Sequence, residues 1–357
     1  MTDAYIVGAV RSAGGKKNGR LSKIHPIDLG AEVVDALVAK TGVAVSEIDD
    51  LIFGCVSQVG AQSSNIARNI CLSSVLGEVV PGTTVDRQCG SGQQAMHFAA
   101  QGVLSGTQDL VIAGGVESMS QVPIGANIID GYKAEHGLPY GKKMSERYPG
   151  VQFNQFAGAE MLAHKYELTQ NELNAFAFDS HVKAKRAVLE GRFKDEIVAI
   201  QIELEDGTTE SHEQDEGIRM DATLGAIAGL QPLQENGLLS AANASQICDG
   251  AAAVMIANGA TCKRLGLKPL ARIIAMSVIG SDPVIMLEGP IPATKKVLEK
   301  ANLSVDDIDL FEVNEAFGSV PLAWVKALGA DISKLNVNGG AQALGHPLGG
   351  TGAKLMT

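Results

Sequence analysis

The stretch Val85-Asp86-Arg87-Gln88-Cys89-Gly90-Ser91-Gly92-Gln93-Gln94-Ala95 decides how the rest of the chain is read. A strand-like run leads into it, Gly90-Ser91-Gly92 reads as a turn, and Gln93 to Leu104 has the character of a helix. A thiol between a strand end and a helix start faces backbone amides and the positive end of the helix dipole. Both favour thiolate over thiol, so Cys89 is a candidate nucleophile. The competing reading is a small buried apolar side chain, the ordinary state of a free cysteine.

Outward from this stretch, strands alternate with helices. Ala4 to Val10 reads as a buried strand, and Pro26 to Thr41 as a helix with Asp28 near its start and Gly42 at its end. Leu51 to Val56 reads as a strand, Gln62 to Leu76 as a helix, and Leu110 to Ala113 as a strand that ends in Gly114-Gly115-Val116-Glu117-Ser118-Met119-Ser120. This alternation predicts an α/β layered fold with a largely parallel sheet. Gln121 to Gly150 is rich in Gly, Pro, Tyr and Lys and too long for a plain connector. Helices are predicted over Phe156 to Tyr166 and Gln170 to Glu190. Ile197 to Gly217 mixes a polar strand with an acidic turn, and its run His212 to Glu216 reads as a solvated loop rather than a metal site. The small residues of Ala251 to Ala257 leave strand and tightly packed helix both open.

A chain of 357 residues with 45% hydrophobic content holds a large core, as roughly two domains or one duplicated unit. The net charge of −11 without a basic block argues against a nucleic-acid backbone as partner. A polyanion such as coenzyme A remains open to a few local cations and amides. Five widely spaced cysteines make neither a disulfide framework nor a zinc pattern. No signal-peptide pattern or membrane-length apolar run stands out, so the expected setting is a reducing cytoplasm.

The sequence also repeats its plan. Pro26–Val56 matches Pro290–Phe317, and Thr84–Met96 matches Asn336–Met356, where Ser91-Gly92 corresponds to Thr351-Gly352. Two halves on one plan imply pseudo-two-fold symmetry and a site where they meet. The first half runs on to Ser120 while the second stops at Thr357, so the repeat predicts about thirty further residues and a C-terminally incomplete chain. The run Asn336 to Lys354 lacks a phosphate-loop pattern, and the first strand–helix turn lacks a dinucleotide fingerprint. What Asn336 to Lys354 offers is His346, between Gly345 and Pro347, at the turn equivalent to that of Cys89. Asn314, after a predicted strand Leu310–Val313, belongs at a sheet's carboxyl end, where α/β sheets bind ligands; a helix N-cap is the equal alternative.

Together VDRQCGSGQQA, GGVESMS, NEAF and NGGAQALGHPLGGTGAK resemble the thiolases, acyl-CoA acetyltransferases, in order and spacing from residue 1 to 357. The form is most similar to bacterial degradative thiolases. The resemblance implies a duplicated, layered αβαβα fold of two pseudo-symmetric halves plus a loop domain. Residues 1–120, completed by about 247–268, form the first half. Residues 121–246 form the loop domain that covers CoA and makes oligomer contacts. Residues 269–357 form the second half, incomplete.

By the same resemblance Cys89 takes the acyl group and its amide contributes to one oxyanion hole. His346 takes the thiol proton and then helps hold the thioester oxygen, and Asn314 positions a water in that second hole. Arg219 lies near the adenine end of CoA and Ser245 near the pantetheine. No cofactor is implied, since CoA is a substrate, and the partners are acyl-CoA and further copies in a homodimer or homotetramer. Asn154 stands near the place where some members carry a histidine, which bears on acyl preference. The family's second catalytic cysteine has no counterpart in this sequence, because neither Cys248 nor Cys262 lies in its context. Two competing readings follow: a catalytically impaired CoA-binding or interaction subunit, and a ketoacyl-synthase-like condensing enzyme. The Gly-His-Pro context favours a thiolase over the latter.

Overall fold

The computed structural model describes residues 3–204 and 206–357. Its elements, in chain order, begin with β1 (Ala4–Ser12), β2 (Gly15–Lys16), α1 (Pro26–Thr41), β3 (Asp50–Gly54), α2 (Ile66–Ser73), β4 (Gly82–Val85), α3 (Ser91–Ser105) and β5 (Leu110–Ser118). Next come α4 (Ala126–Lys133), α5 (Lys142–Arg147), α6 (Gln155–Lys165), α7 (Gln170–Leu189), β6 (Ile197–Val198), β7 (Ile200–Glu203), β8 (Thr209–His212) and α8 (Leu224–Ala228). The chain continues with β9 (Cys248–Asn258), α9 (Gly259–Leu265), β10 (Ala271–Arg272), α10 (Pro290–Ala301), α11 (Ser319–Leu328), α12 (Ala341–Leu344) and α13 (Thr351–Met356).

Strands β5 and β9 have no exposed residue, so neither can alternate polar and apolar faces. Such strands need cover on both sides, and helices provide it. On one face α1 and α2 bring Leu29, Val33, Leu37 and Ile70 onto Leu51, Phe53 and Met255. On the other, α3 brings Ala95, Met96, Ala99 and Val103 onto Ile52, Val111, Ala113 and Val254. Full burial of each larger aliphatic side chain stabilises the fold by about 2 kcal/mol. Helix α1 starts with Pro26 in its first turn and ends at Gly42, whose φ of +67° closes it. Helix α2 is shorter than Gln62 to Leu76, because Asn65 caps it by accepting from the Arg68 amide.

The strand order is β10-β1-β9-β5-β3-β4. Strands β3, β4 and β5 are parallel, but β9 runs antiparallel to both β1 and β5. The sheet is therefore mixed rather than largely parallel. The reason is topological: β9 enters from the long segment after α8 and not through a helical crossover. Ala251 to Ala257 is strand, and its small side chains let helices approach on both faces. The carboxyl ends of β1, β3, β4 and β5 and the start of β9 share one end of the sheet, as the pairing of Ser118 with Asp249 and of Gly54 with Gly115 requires.

Two other expectations are corrected. The acidic run at His212 to Glu216 is not a solvated loop. His212 and Asp215 are buried, and Asp215 takes both ends of the Arg11 guanidinium at 2.8 and 3.0 Å and the Gly14 amide at 2.7 Å. Burial alone would raise the Asp215 carboxyl, but the Arg11 charge holds it down at about 2. The strand expected at Leu310–Val313 is reduced to one bridge, Phe311 beside Leu335. Beyond it a side chain takes over the pairing: Asn336 accepts from the Val313 amide and donates to the Val313 carbonyl, each at 2.9 Å. This half packs instead through Trp324 and Phe317 against Leu162 of α6 and Leu173 of α7.

Candidate active site

The turn that presents Cys89 is held by short polar arms. Asp86 accepts from the Gln88 amide at 2.8 Å. The Ser91 hydroxyl accepts from the Arg87 amide at 2.8 Å and donates to the Gln88 carbonyl at 2.6 Å. These bonds force Gln88 to a φ of +50°, an unfavourable conformation for a side chain of its size. Cys89 follows, and its thiol packs against Val56, Met119 and Leu348.

The expected ionisation is overturned here. Burial pushes the Cys89 thiol up to about 11, its own amide pulls it back only in part, and the Glu117 and Asp86 carboxylates push it further. Desolvation outweighs the helix amides, so the resting residue is a thiol, which would need a base to act as a nucleophile.

His346 follows Gly345, which has a φ of +81°, and its amide donates to the Gln246 carbonyl at 3.0 Å. Its Nδ1 lies 2.6 Å from the Thr351 hydroxyl oxygen, and that hydroxyl donates to the Pro347 carbonyl at 2.9 Å. Thr351 has one proton and spends it on Pro347, so its oxygen accepts from Nδ1–H. That assigns the imidazole proton to Nδ1 and leaves the lone pair on Nε2. Burial first, and the Lys354 charge after it, push His346 down to about 4, which makes it a neutral base near pH 7. Asn314 Nδ2 lies 3.4 Å from His346 Nε2, and Asn314 Oδ1 is buried with no hydrogen-bond partner among the described residues. Helix α11 begins at Ser319 behind Gly318, so Asn314 is not a helix cap.

The two turns meet backbone to backbone. A Cβ on Gly352 would lie 2.0 Å from the Gln93 amide nitrogen, and one on Gly115 would lie 2.0 Å from the Gly349 carbonyl. No side chain fits at either position, and this closeness seats the start of α13 against the start of α3.

Ser245 lies between the Asn314 and His346 segments, with its amide on the Ala316 carbonyl at 3.0 Å. The neighbouring Gln246 amide group reaches the Gly217 carbonyl at 2.8 Å and the Gln342 carbonyl at 2.7 Å. Arg219 stands apart from these groups. Its amide donates to His181 Nδ1 at 3.1 Å, and it lines a cleft of about 490 Å³ with Lys185, Arg186, Val182 and Met220. The structure thus gathers Cys89, His346, Asn314 and Ser245 at one end of the sheet and places Arg219 at its margin. Thr351 and Gln246 were missed in the sequence; the one available signal was a hydroxyl five residues after His346, at a helix start.

Cys55, Cys71, Cys248 and Cys262 are all buried. Among the described residues, no group of three or more acidic, His or Cys side chains is placed to hold a metal ion, and no helix is long and apolar enough to cross a membrane.

The family model of the thiolase N-terminal domain matches residues 4–260, and that of the thiolase C-terminal domain matches residues 267–357. A steroid 3-ketoacyl-CoA thiolase of Mycobacterium tuberculosis is 47% identical over 359 residues, covering 100% of this chain and 87% of that protein. The 3-ketoacyl-CoA thiolases of Acinetobacter baumannii and Bacillus subtilis are 42% and 40% identical, over 99% of this chain and 90% and 91% of theirs. With both domains matched in order and a thiol, an imidazole and an amide brought to one sheet end, the chain belongs to the thiolase family.

Proposed function

We propose that this chain is a 3-ketoacyl-CoA thiolase that works through an acyl-Cys89 thioester. The Cys89 proton passes to His346 Nε2 as the sulfur attacks the 3-keto carbonyl. The bond between C2 and C3 then breaks, its electron pair leaves with acetyl-CoA, and that carbon takes the proton that His346 had accepted. CoA thiol next attacks the acyl-cysteine, its proton passes through His346 Nε2 to the leaving sulfur, and Cys89 is restored. Two substitutions at sulfur replace one difficult exchange. The developing oxyanion lies with Asn314 and His346, where one well-placed donor is worth about 3 kcal/mol of barrier. The observation that carries this reading is the neutral imidazole with its lone pair on Nε2, at the turn that matches the nucleophile's.

The nucleotide of CoA belongs in the Arg219 cleft, where Lys185 and Arg186 add charge for its phosphates, and the pantetheine arm passes Ser245. Residues 121–246 act as the cover, and the two flanking regions act as halves of one layered plan. The relative at 47% identity puts a bulky, ring-bearing acyl group first among substrates to try. A second copy of the chain fits the free edge of β4, beside Leu72, Val75 and Val79, each more than half exposed. The free cysteines suit a reducing, cytoplasmic setting.

The test is intact mass after mixing the chain with acetyl-CoA, beside Cys89→Ser. An acetyl adduct on the wild type alone supports the reading. A folded chain that stays unmodified would instead favour a CoA-binding subunit without acyl transfer.

A further inference from the structure

The reaction above leaves one motif unused: Glu117, at the end of β5. Its side chain is fully buried. One carboxylate oxygen accepts from the Val56 amide at 3.0 Å and the Gly349 amide at 2.8 Å. The other accepts from the Ser57 amide at 3.0 Å and from Gln62 Nε2 at 2.8 Å. Four N–H donors fill the acceptor sites of both oxygens and leave no place for a proton, so the group is a carboxylate although burial pushes its pKa up.

The donors come from three segments: the loop after β3, the turn before α2 and the loop between His346 and α13. Two of them, with the end of β5, border the nucleophile. Val56 is itself a donor, Leu348 precedes the donor Gly349, and Met119 lies two residues beyond Glu117. These three side chains form the wall against which Cys89 packs.

We propose that Glu117 is a positioning residue for acyl transfer: one buried carboxylate fixes both the wall around Cys89 and the loop that carries His346. The proposal rests on Cys89 and His346 as nucleophile and base. Its charge has a second effect. With Asp86 from the nucleophile's own turn, Glu117 opposes thiolate formation at Cys89. The other titratable neighbours are the buried thiol of Cys55, 4.0 Å from Glu117, and the neutral His346. The resting nucleophile is thus kept protonated until His346 takes its proton.

The experiment compares the wild-type chain with Glu117→Asp and Glu117→Gln. It reads the rate of Cys89 acetylation by acetyl-CoA from intact mass, and the pH profile of Cys89 alkylation by iodoacetamide. Aspartate keeps the charge but falls short of the Gly349 amide, so acetylation slows at least about tenfold while the alkylation midpoint stays. Glutamine removes the charge, so acetylation slows similarly and the midpoint drops by about one unit. A residue that merely held the fold would not move the midpoint of a folded Gln variant. Folded variants that acetylate at the wild-type rate, or a Gln variant with an unmoved midpoint, would overturn the proposal. If neither variant folds, Gln62→Met strips one donor from the same carboxylate; slowing by several-fold supports the proposal and a wild-type rate rejects it. An unmodified wild type removes the Cys89 reading itself, whereas an acetylated wild type with undisturbed variants removes the role of Glu117 alone.

Discussion

The turn before α3 and the turn before α13 are two solutions to one problem. Each places a candidate functional side chain directly after a residue of positive φ, Gln88 in the first and Gly345 in the second. Burial acts on both and moves them in opposite directions, the Cys89 thiol up to about 11 and the His346 imidazole down to about 4. Both groups rest neutral as a result. In the proposed mechanism, the same desolvation that disarms the nucleophile leaves the base ready, so proton transfer waits for substrate. The turns differ in their support. The first is backed by a continuous ladder of strands, while the second depends on side-chain bonds from Thr351, Asn336 and Gln246.

The sharpest way to break this pairing is Cys89→Ala. Turnover and the acetyl adduct are expected to vanish, a loss of at least about 10⁴-fold. In the wild type, alkylation of Cys89 should still be accelerating above pH 9; a plateau near pH 7 would mean a thiolate at rest. His346→Asn removes the base and keeps much of the bulk. The adduct rate at pH 7 should fall about 10³-fold, with partial recovery at high pH, where hydroxide takes the thiol proton.

Gly352→Ala tests the contact between the turns. Its new methyl meets the Gln93 amide, and thermal unfolding should report a loss of about 3 kcal/mol or more. Acid should reach the second turn first. The folded pKa of His346, about 4, lies below its unfolded value of 6.5, so the unfolded chain binds more protons in between. Stability is complete above pH 6.5 and falls as pH drops towards about 4, by on the order of 3 kcal/mol from this residue. His346→Asn should flatten that part of the profile; the buried His181, also pushed to about 4, should keep the rest. The smallest effect is expected from Thr351→Val. It frees the Nδ1 proton from its acceptor, and kcat should drop about tenfold with KM little changed.

Most of the first half was legible because its signals are local. Pro26 and Gly42 mark α1 to the residue, and the branched run at Leu110 marks β5. The strand runs on through Gly114 and Gly115 to Ser118, because those glycines admit another backbone rather than end the strand. The reversed direction of β9 is a matter of topology, and no periodicity carries it. Leu310–Val313 has a strand's composition, but a strand also needs a neighbour with a free edge, and here it finds only a short bridge. Asp215 looked solvated because its neighbours in sequence are polar; its partner Arg11 lies far away along the chain. The candidate thiol–imidazole pair, Cys89 and His346 at matching turns, was readable from its glycine-rich settings. Its ionisation was not, since helix amides are visible in a turn motif while the burial that overrules them comes from the walls of other segments.

The reversed strand also sets the order in which the molecule can be made. Ala4 to Arg11 are ready within moments of leaving the ribosome, yet their partners in the sheet are Ala252 to Asn258. At about 5–20 residues per second that is a wait of roughly 12 to 50 seconds. During it, β5 and the strands beside it present an apolar edge that β9 later fills. Residues early in this sequence thus pair with a strand made much later. A nascent chain stopped before Asn258 carries an open sheet, so the long middle segment acts on folding as a timer.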